Sequence, residues 1–445
     1  MRFPVSPYVK ISSPSWSRNA TIYQVNTRQF SKAGNFDGVI EGLGRIKALG
    51  SDIVWLMPVH EIGKKHRKGS LGSPYAVKDY YSVNEEFGTP EDFKRLVKAA
   101  HDLDLKVILD WVPNHTAWDN PLVHEKPHWY AKDYKGDFRP SPWWDWDDII
   151  ELDYNNEALR EYMIDALCHW IKEYDLDGFR CDVAGYVPND FWRQARKALD
   201  AIKPVFMLAE WEDRDMHEHG FDMTYAWSWN EILFGIAQGV LPLDKLRKYY
   251  SWNERAWPKE AYRMTFVSNH DENAWEGTPD EKFGPMLNAA IVLSVIGEGM
   301  PLIHNGQEAG ESKRLKFFER DPIDWQPHFM YDFYQSLLKL RKAHTALHNG
   351  AFGARMHQVP NDAMSEVFSF VREDAQSKWF CVFNFSDKAV SVRFKEEYYV
   401  DAYDAVLCAS THQYKESITH IEKGQSLELP AYAYRVFVKH CDEEE

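Results

Sequence analysis

The chain predicts an α/β protein built on a closed (β/α)8 TIM barrel, with a subdomain inserted after the third strand and a C-terminal antiparallel β-sandwich. Three observations in its 445 residues predict this. Short β-rich apolar runs alternate with amphipathic helical stretches from residue 21 to about 310. Some 45 residues between 111 and 156 interrupt that alternation and are dense in tryptophan and tyrosine. From about residue 350 the texture turns to β-rich alternation between polar turns. The division expected is a barrel over 1–350, the aromatic-rich subdomain 111–156 within it, and the sandwich over 351–445.

The strand candidates in order are residues 21–25, 52–56, 106–110, 178–182, 205–210, 263–268 and 301–305, with an eighth expected near 221–225. The helix between the second and third runs carries the strongest start signal. Thr89 sits at the N-cap, Pro90 at the first position and Glu91 and Asp92 in the first turn, ahead of Phe93, Leu96, Val97 and Ala100 on one face. Residues 157–174 place Leu159, Met163, Ala166, Leu167, Trp170, Ile171 and Tyr174 at helical spacing, which reads Trp170 as core. An open doubly wound sheet would want a glycine-rich turn after the first strand, and Gln24-Val25-Asn26-Thr27-Arg28 is not one. In the C-terminal region the strand candidates are 367–371, 379–384, 390–394 and 431–438.

Composition narrows the partners. Hydrophobic residues make up 44% of the chain and charged ones 27%, the balance of a chain with an extensive core. A net charge of −16 repels phosphate backbones and anionic lipid, so neither nucleic acid nor a membrane is expected as a partner. Aromatic residues reach 15%, enough flat faces for a core and for stacking on sugar rings. The five cysteines, Cys168, Cys181, Cys381, Cys408 and Cys441, show no CxxC and no regular spacing, which suits a reducing compartment. The N-terminal residues hold no apolar core of signal-peptide length and no uninterrupted apolar run of about 18 residues occurs, and the cytoplasm is the expected location. The acidic tail 442–445 reads as solvated.

Four polar clusters fall at or just after predicted strand ends, where a barrel converges side chains on one cavity. They are Asp110-Trp111-Val112-Pro113-Asn114-His115, Gly178-Phe179-Arg180-Cys181-Asp182, Ala209-Glu210-Trp211 and Ser268-Asn269-His270-Asp271. Asp182 and Glu210 are one βα unit apart, so adjacent strands would bring their carboxyls close. In a retaining glycoside hydrolase two carboxyl groups about 5–5.5 Å apart divide the work, one attacking the anomeric carbon and the other handling protons. Arg180, on the same strand face as Asp182, would keep that carboxylate ionised. Glu210 has Trp211 beside it and no adjacent cation in sequence, a setting that raises its pKa toward acid duty. Asp271 could oppose the positive charge of an oxocarbenium-like transition state, and His115 and His270 could donate to sugar hydroxyls or carboxylates.

These clusters resemble, in order, the signature regions of the α-amylase family of glycoside hydrolases. Asp110 to His115 is similar to the first, Gly178 to Asp182 to the second, Leu208 to Trp211 to the third and Phe266 to Asp271 to the fourth. Ile22-Tyr23-Gln24, Val54-Trp55-Leu56-Met57-Pro58, Gly72-Ser73-Pro74-Tyr75 and Gly306-Gln307-Glu308 resemble its flanking motifs. The resemblance implies Asp182 as nucleophile, Glu210 as general acid/base and Asp271 as transition-state stabiliser. It implies Arg180, His115 and His270 around the sugar being cleaved, Tyr75 stacked under it and Asp110 bracing Arg180 from behind. No cofactor is implied for the chemistry. A structural calcium is, with Asn114 the one ligand that carries over, although calcium wants six to eight oxygens.

The function so implied is a retaining glycoside hydrolase that cleaves α-glucosidic bonds, chiefly α-1,4, in starch-type glucans or maltooligosaccharides through a covalent glycosyl-enzyme intermediate. Alternatives within the family are an oligosaccharide-preferring α-glucosidase, a cyclomaltodextrinase or a transglycosylase. Where typical α-amylases carry a Lys-His pair after the nucleophile, this chain has Gly185-Tyr186, and Val183 follows the nucleophile as in several oligosaccharide-acting members. Residues 150–155 resemble the family's fifth region only loosely. Two rivals stand beside this reading. One is a metal-dependent hydrolase using His217-Glu218-His219, a stretch that reads better as a solvated loop. The other is a catalytically silent carbohydrate-binding protein, against which the presence of all three carboxyls argues.

Overall fold

In the computed structural model, which describes residues 12–141, 143–409, 411–412 and 414–440, all eight apolar runs form strands. They are β1 (Ile22–Val25), β2 (Ile53–Leu56), β3 (Lys106–Trp111), β4 (Gly178–Cys181), β5 (Phe206–Ala209), β6 (Met223–Tyr225), β7 (Tyr262–Thr265) and β8 (Met300–His304). Each pairs in parallel with its neighbour in sequence, and β8 returns to β1 through Ile22 opposite Leu302, closing the barrel. The eighth strand, expected near 221–225, is β6. Cys441 and the acidic tail lie outside the described residues.

A two-residue alternation divides each strand between two cores, and it decides which side chains reach the barrel axis. Ile22, Ile53, Trp55, Ile108, Phe206, Leu208, Met223, Tyr225, Tyr262, Met264 and Leu302 pack inside the barrel. Tyr23, Val54, Leu56, Val107, Leu109, Phe179, Cys181, Met207 and Ala209 face the surrounding helices. Extending the alternation past the strand ends turns Gln24, Asp110, Arg180, Asp182 and Glu210 inward, in the layer above the apolar plug. Gly178 lets β4 approach β5: a Cβ there would lie 1.8 Å from the Phe206 carbonyl oxygen.

The helices follow their sequence signals. Pro90–Asp102 opens on a complete capping box between Thr89 and Asp92. Glu157–Tyr174 buries the stripe read from its spacing, with the Trp170 indole N–H donated to the Tyr80 carbonyl at 2.7 Å. The segment after β3 contains a strand pair, His115–Ala117 with Ile149–Glu151, that ties both its ends together over the C-terminal mouth of the barrel. Its aromatic residues divide: Trp129 and Tyr130 are buried, while Tyr134, Trp143 and Trp144 are exposed.

Beyond the helix Phe329–Ala343, the C-terminal region is an antiparallel six-stranded sheet faced by one two-stranded pair. The sheet is ordered His357–Gln358, Val367–Glu373, Ser377–Asn384, Tyr434–His440, Asp401–Cys408, Tyr414–Ile421, and the pair is Val390–Val392 with Leu427–Leu429. The second layer of the expected sandwich is thus only two strands wide. Strands at 401–408 and 414–421 went unread in the sequence because the outer one is mostly exposed and polar, so it lacks the apolar alternation that marks a half-buried strand. Arg372 docks this sheet to the barrel, its Nη1 donating to the carbonyls of Ile296 and Gly297 at 2.8 Å each.

Candidate active site

A cavity of about 610 Å³ opens over the inward layer at the C-terminal ends of the strands. Tyr75, His115, Asp182, Glu210, His270 and Asp271, drawn from separate stretches of the chain, all line it. At its floor, Arg180 from β4 gathers the acids. Its Nη1 lies 2.7 Å from Asp110 and 3.1 Å from Asp182, and its Nη2 lies 3.0 Å from Glu210. Because both terminal nitrogens belong to one planar guanidinium, the contacted oxygens of Asp182 and Glu210 are within about 9 Å of each other. The Nε donates to the Tyr225 hydroxyl at 3.1 Å.

Exposure sorts these groups by what they can touch. The side chains of Arg180 and Asp110 are 0% exposed, whereas Asp182 is 11%, Glu210 13% and Asp271 37% exposed. The sequence reading set Arg180 among the groups around the sugar, yet here it lies beneath the cavity wall. Asp110 accepts from Arg180, from the Tyr75 hydroxyl at 2.9 Å and from the Trp55 indole at 3.1 Å, so it is fixed on three sides. Tyr75 connects the two halves of the site, its hydroxyl also 2.8 Å from His270 Nε2 and its ring stacked on those of His270 and Phe317. Gln24 holds His270 from below, with its amide nitrogen 2.7 Å from Nδ1 and its carbonyl oxygen accepting the His270 backbone N–H at 3.2 Å.

The electrostatics correct one expectation. Glu210 does have a cation, since Arg180 is shared among three carboxyls and does not serve Asp182 alone. Burial pushes Asp182 well above the usual carboxylate range and the neighbouring Glu210 adds to the rise, while Arg180 opposes it. Burial likewise raises Asp271, and takes Asp110 up to about 7. Burial and mutual repulsion thus favour the protonated forms of Asp182, Asp271 and Asp110. The histidines supply no compensating charge: burial takes His115 down to about 4 and His270 down to about 3, leaving both rings neutral.

The residue after Asp182 completes the arrangement. Val183 has φ of 35°, in the left-handed region that a β-branched side chain rarely adopts, at a cost of about 1–3 kcal/mol. That turn aims the Val183 backbone N–H at Glu210 Oε2, 2.8 Å away. Oε2 of Glu210 is thus contacted by both Val183 and Arg180. Sequence reading passed over Val183, Gln24, Trp55 and Tyr225 in this role. The inward parity of Gln24, Trp55 and Tyr225 was the signal available for three of them, whereas the backbone φ of Val183 leaves none.

Beyond Glu210 a second cavity of about 530 Å³ continues the cleft, lined by Trp144, Trp146, Tyr186, Trp211 and Trp227. Gly185 permits this wall, since a Cβ there would lie 2.0 Å from the Trp211 ring. Tyr186 packs edge-on against Trp211 and accepts from the Trp144 indole at 3.1 Å.

The metal expectations fare differently. Asn114 is buried with its amide nitrogen 3.1 Å from His115 Nδ1, and its backbone carbonyl accepts from Leu152. Among the described residues no group of three or more His, Cys, Asp or Glu side chains is placed to hold a metal ion, around Asn114 or elsewhere. His217 and His219 lie on the short helix Met216–His219 and not on a solvated loop; His217 is buried, neutral and 3.1 Å from the Thr224 hydroxyl.

Comparison with known proteins identifies relatives of the whole barrel. Residues 17–324 match the family described as alpha amylase, catalytic domain. Alpha-amylase 2 of Dictyoglomus thermophilum is 25% identical over 421 residues, covering 84% of this chain and 71% of that protein. A cyclomaltodextrinase of a Bacillus species is 25% identical over 436 residues, covering 86% and 76% respectively. The crystal structure of a noncanonic maltogenic alpha-amylase from Thermotoga neapolitana superposes with a TM-score of 0.84 at 30% identity, over 95% of this chain and 99% of that one.

Proposed function

Because the chain belongs to the α-amylase family and is a glycoside hydrolase acting on α-glucans, we propose that Asp182 is its nucleophile, Glu210 its general acid/base and Asp271 the stabiliser of its transition state. The observation that carries this is the shared guanidinium of Arg180, which holds Asp182 and Glu210 side by side at the floor of one cavity. In the first step a carboxylate oxygen of Asp182 bonds to the anomeric carbon as the glycosidic bond breaks, and the carboxyl proton of Glu210 passes to the departing oxygen. Asp271, at the cavity surface, faces the positive charge that develops on the ring. In the second step Glu210 takes a proton from water, which displaces Asp182 and restores the α configuration.

His115 and His270, neutral and on the cavity wall, bind sugar hydroxyls in this account, and Tyr75 presents its ring to the sugar being cleaved. Arg180 acts as a positioning residue with Asp110 behind it. The favoured substrates are α-1,4-linked maltooligosaccharides. The names of the relatives support this, and so does the aromatic cavity beyond Glu210, whose tryptophan faces suit stacking on the leaving sugars. We divide the chain into the barrel 1–350, the inserted subdomain 111–156 and the C-terminal module 351–445. A reducing compartment, the cytoplasm, fits the free thiols of Cys168, Cys181 and Cys381.

Glu210→Gln tests the acid/base assignment by leaving-group dependence. Turnover of maltooligosaccharides is expected to fall by about 10²–10⁴-fold, since protonation of the departing oxygen is lost. The rate on α-maltosyl fluoride, whose leaving group needs no proton, should fall far less, and azide should restore turnover with α-glycosyl azide as product. Equal losses on both substrates with no azide product would remove Glu210 from the role.

A further inference from the structure

The two cavities that meet at Glu210 end differently. Past Glu210 the cleft runs on between exposed aromatic faces. Like Asp182 and Asp271, Lys68, Asp145, Asp148, Phe317 and Phe318 stand in the wall of the first cavity and not of the second. These residues belong to three segments that sequence separation hides from one another, and residues 64–73 link them.

At one end of that segment, the Lys64 N–H donates to Asp119 at 2.9 Å, and Lys68 donates to the Asp145 carbonyl while its ammonium lies 3.3 Å from Asp147, 3.6 Å from the Asp145 carboxylate and 4.0 Å from Asp148. At the other end, the Ser70 N–H donates to Glu319 at 2.8 Å, the Ser70 hydroxyl donates to the second oxygen of Glu319, and the Leu71 N–H donates to the Phe318 carbonyl at 3.2 Å. Gly69 allows the close passage, since a Cβ there would lie 2.5 Å from Phe318 Cβ. Arg28, buried and paired with Glu86, secures the base by donating to the carbonyls of Leu71 and Gly72. The segment is therefore a strap running from the inserted subdomain to the loop after β8, anchored on both sides.

We propose that this strap, latched by Lys68, closes the non-reducing side of the substrate cleft, so that the enzyme attacks from chain ends and accepts only a short glycone. The inference rests on the assignment of Glu210 as acid. The portion that receives its proton must leave through the aromatic cavity, and the portion bonded to Asp182 must extend toward Lys68. A glucan continuing past the strap would have to displace Lys68 from the subdomain acids. The latch is the weakest link, because its ion pairs to Asp145 and Asp147 are solvent-exposed and therefore weak. Lys68 thereby becomes a specificity-determining residue without touching the reacting atoms.

The test compares two chromogenic substrates, 4-nitrophenyl α-maltotrioside and a 4-nitrophenyl α-maltoheptaoside whose non-reducing end carries a 4,6-ethylidene block, with a coupling α-glucosidase to free the nitrophenol. The wild-type enzyme should cleave the blocked heptaoside at least about 100-fold more slowly than the free trioside. Lys68→Ala should raise the blocked-to-free ratio about tenfold or more, and Lys68→Arg, which can keep the ion pairs, should leave it near the wild-type value. Comparable wild-type rates on both substrates, or a ratio unmoved in Lys68→Ala, would overturn the strap while leaving hydrolysis intact. Failure to cleave the free trioside at all would remove the hydrolytic assignment and the strap with it.

Discussion

Asp182→Asn is expected to lower kcat/KM on maltooligosaccharides by at least about 10⁴-fold, because an amide cannot form the glycosyl ester on which both half-reactions depend. The protein should stay folded. Asn keeps the shape of Asp, and it removes one of three carboxyls that share a single guanidinium, so resistance to denaturant should equal or exceed that of the wild type. A second variant separates a missing nucleophile from a misplaced one. Asp182→Gly with α-maltosyl fluoride and azide should yield β-glycosyl azide, since azide would enter from the face the carboxylate has vacated. Turnover of Asp182→Asn within about tenfold of wild type would assign the covalent step elsewhere.

Arg180→Met should have the largest effect on stability. It leaves Asp110, Asp182 and Glu210 without their common cation in a site where Arg180 and Asp110 are fully buried, and breaking such an arrangement costs about 3–5 kcal/mol. The pH dependence has a definite sign. Carboxyls raised in the folded state bind protons that the unfolded chain releases, so they weaken folding as pH rises from near 4 toward their folded values, about 7 for Asp110. Without Arg180 those values rise further. Chemical denaturation should therefore show a gap between variant and wild type that is small near pH 4 and widens through pH 7 and above. A gap independent of pH would mean that Arg180 contributes packing and not charge. Activity should fall with stability, since neither acid keeps its position.

How much of this was legible in the residues can be traced strand by strand. The apolar runs from β1 to β8 stand out because a parallel strand covered on both faces has to be apolar at nearly every position, and that signal survives without knowledge of neighbours. The same alternation places Asp110, Arg180, Asp182 and Glu210 inward. It does not say how a cation will be shared. Arg180 is two residues from Asp182 but reaches Glu210 on the neighbouring strand β5, and so the cation expected to serve Asp182 alone is shared between the two acids. Gln24 beneath His270 and Lys68 against Asp147 are contacts of the same kind, invisible to local pattern because the partners are distant in sequence. The strand Tyr414–Ile421 escaped for the opposite reason: its side chains meet mostly solvent, so its backbone pairing alone makes it a strand.

The histidines illustrate what spacing can and cannot convey. His115 and His270 fall at strand ends, and that alone brought them to the cavity wall. His217 and His219 have the spacing of metal ligands, but on the short helix Met216–His219 the His217 ring turns inward to Thr224 and forms no site. Location at the barrel mouth, more than residue type, separates the functional imidazoles from the structural ones.

The covalent two-step reaction has one direct readout, the configuration of the sugar at the moment of release. Proton NMR of maltotriose hydrolysis, recorded before the anomers equilibrate, should show the new reducing end appearing first as the α anomer. First appearance of the β anomer would mean a single displacement by water, which two carboxyls held by one guanidinium with a bond between sugar and Asp182 cannot give.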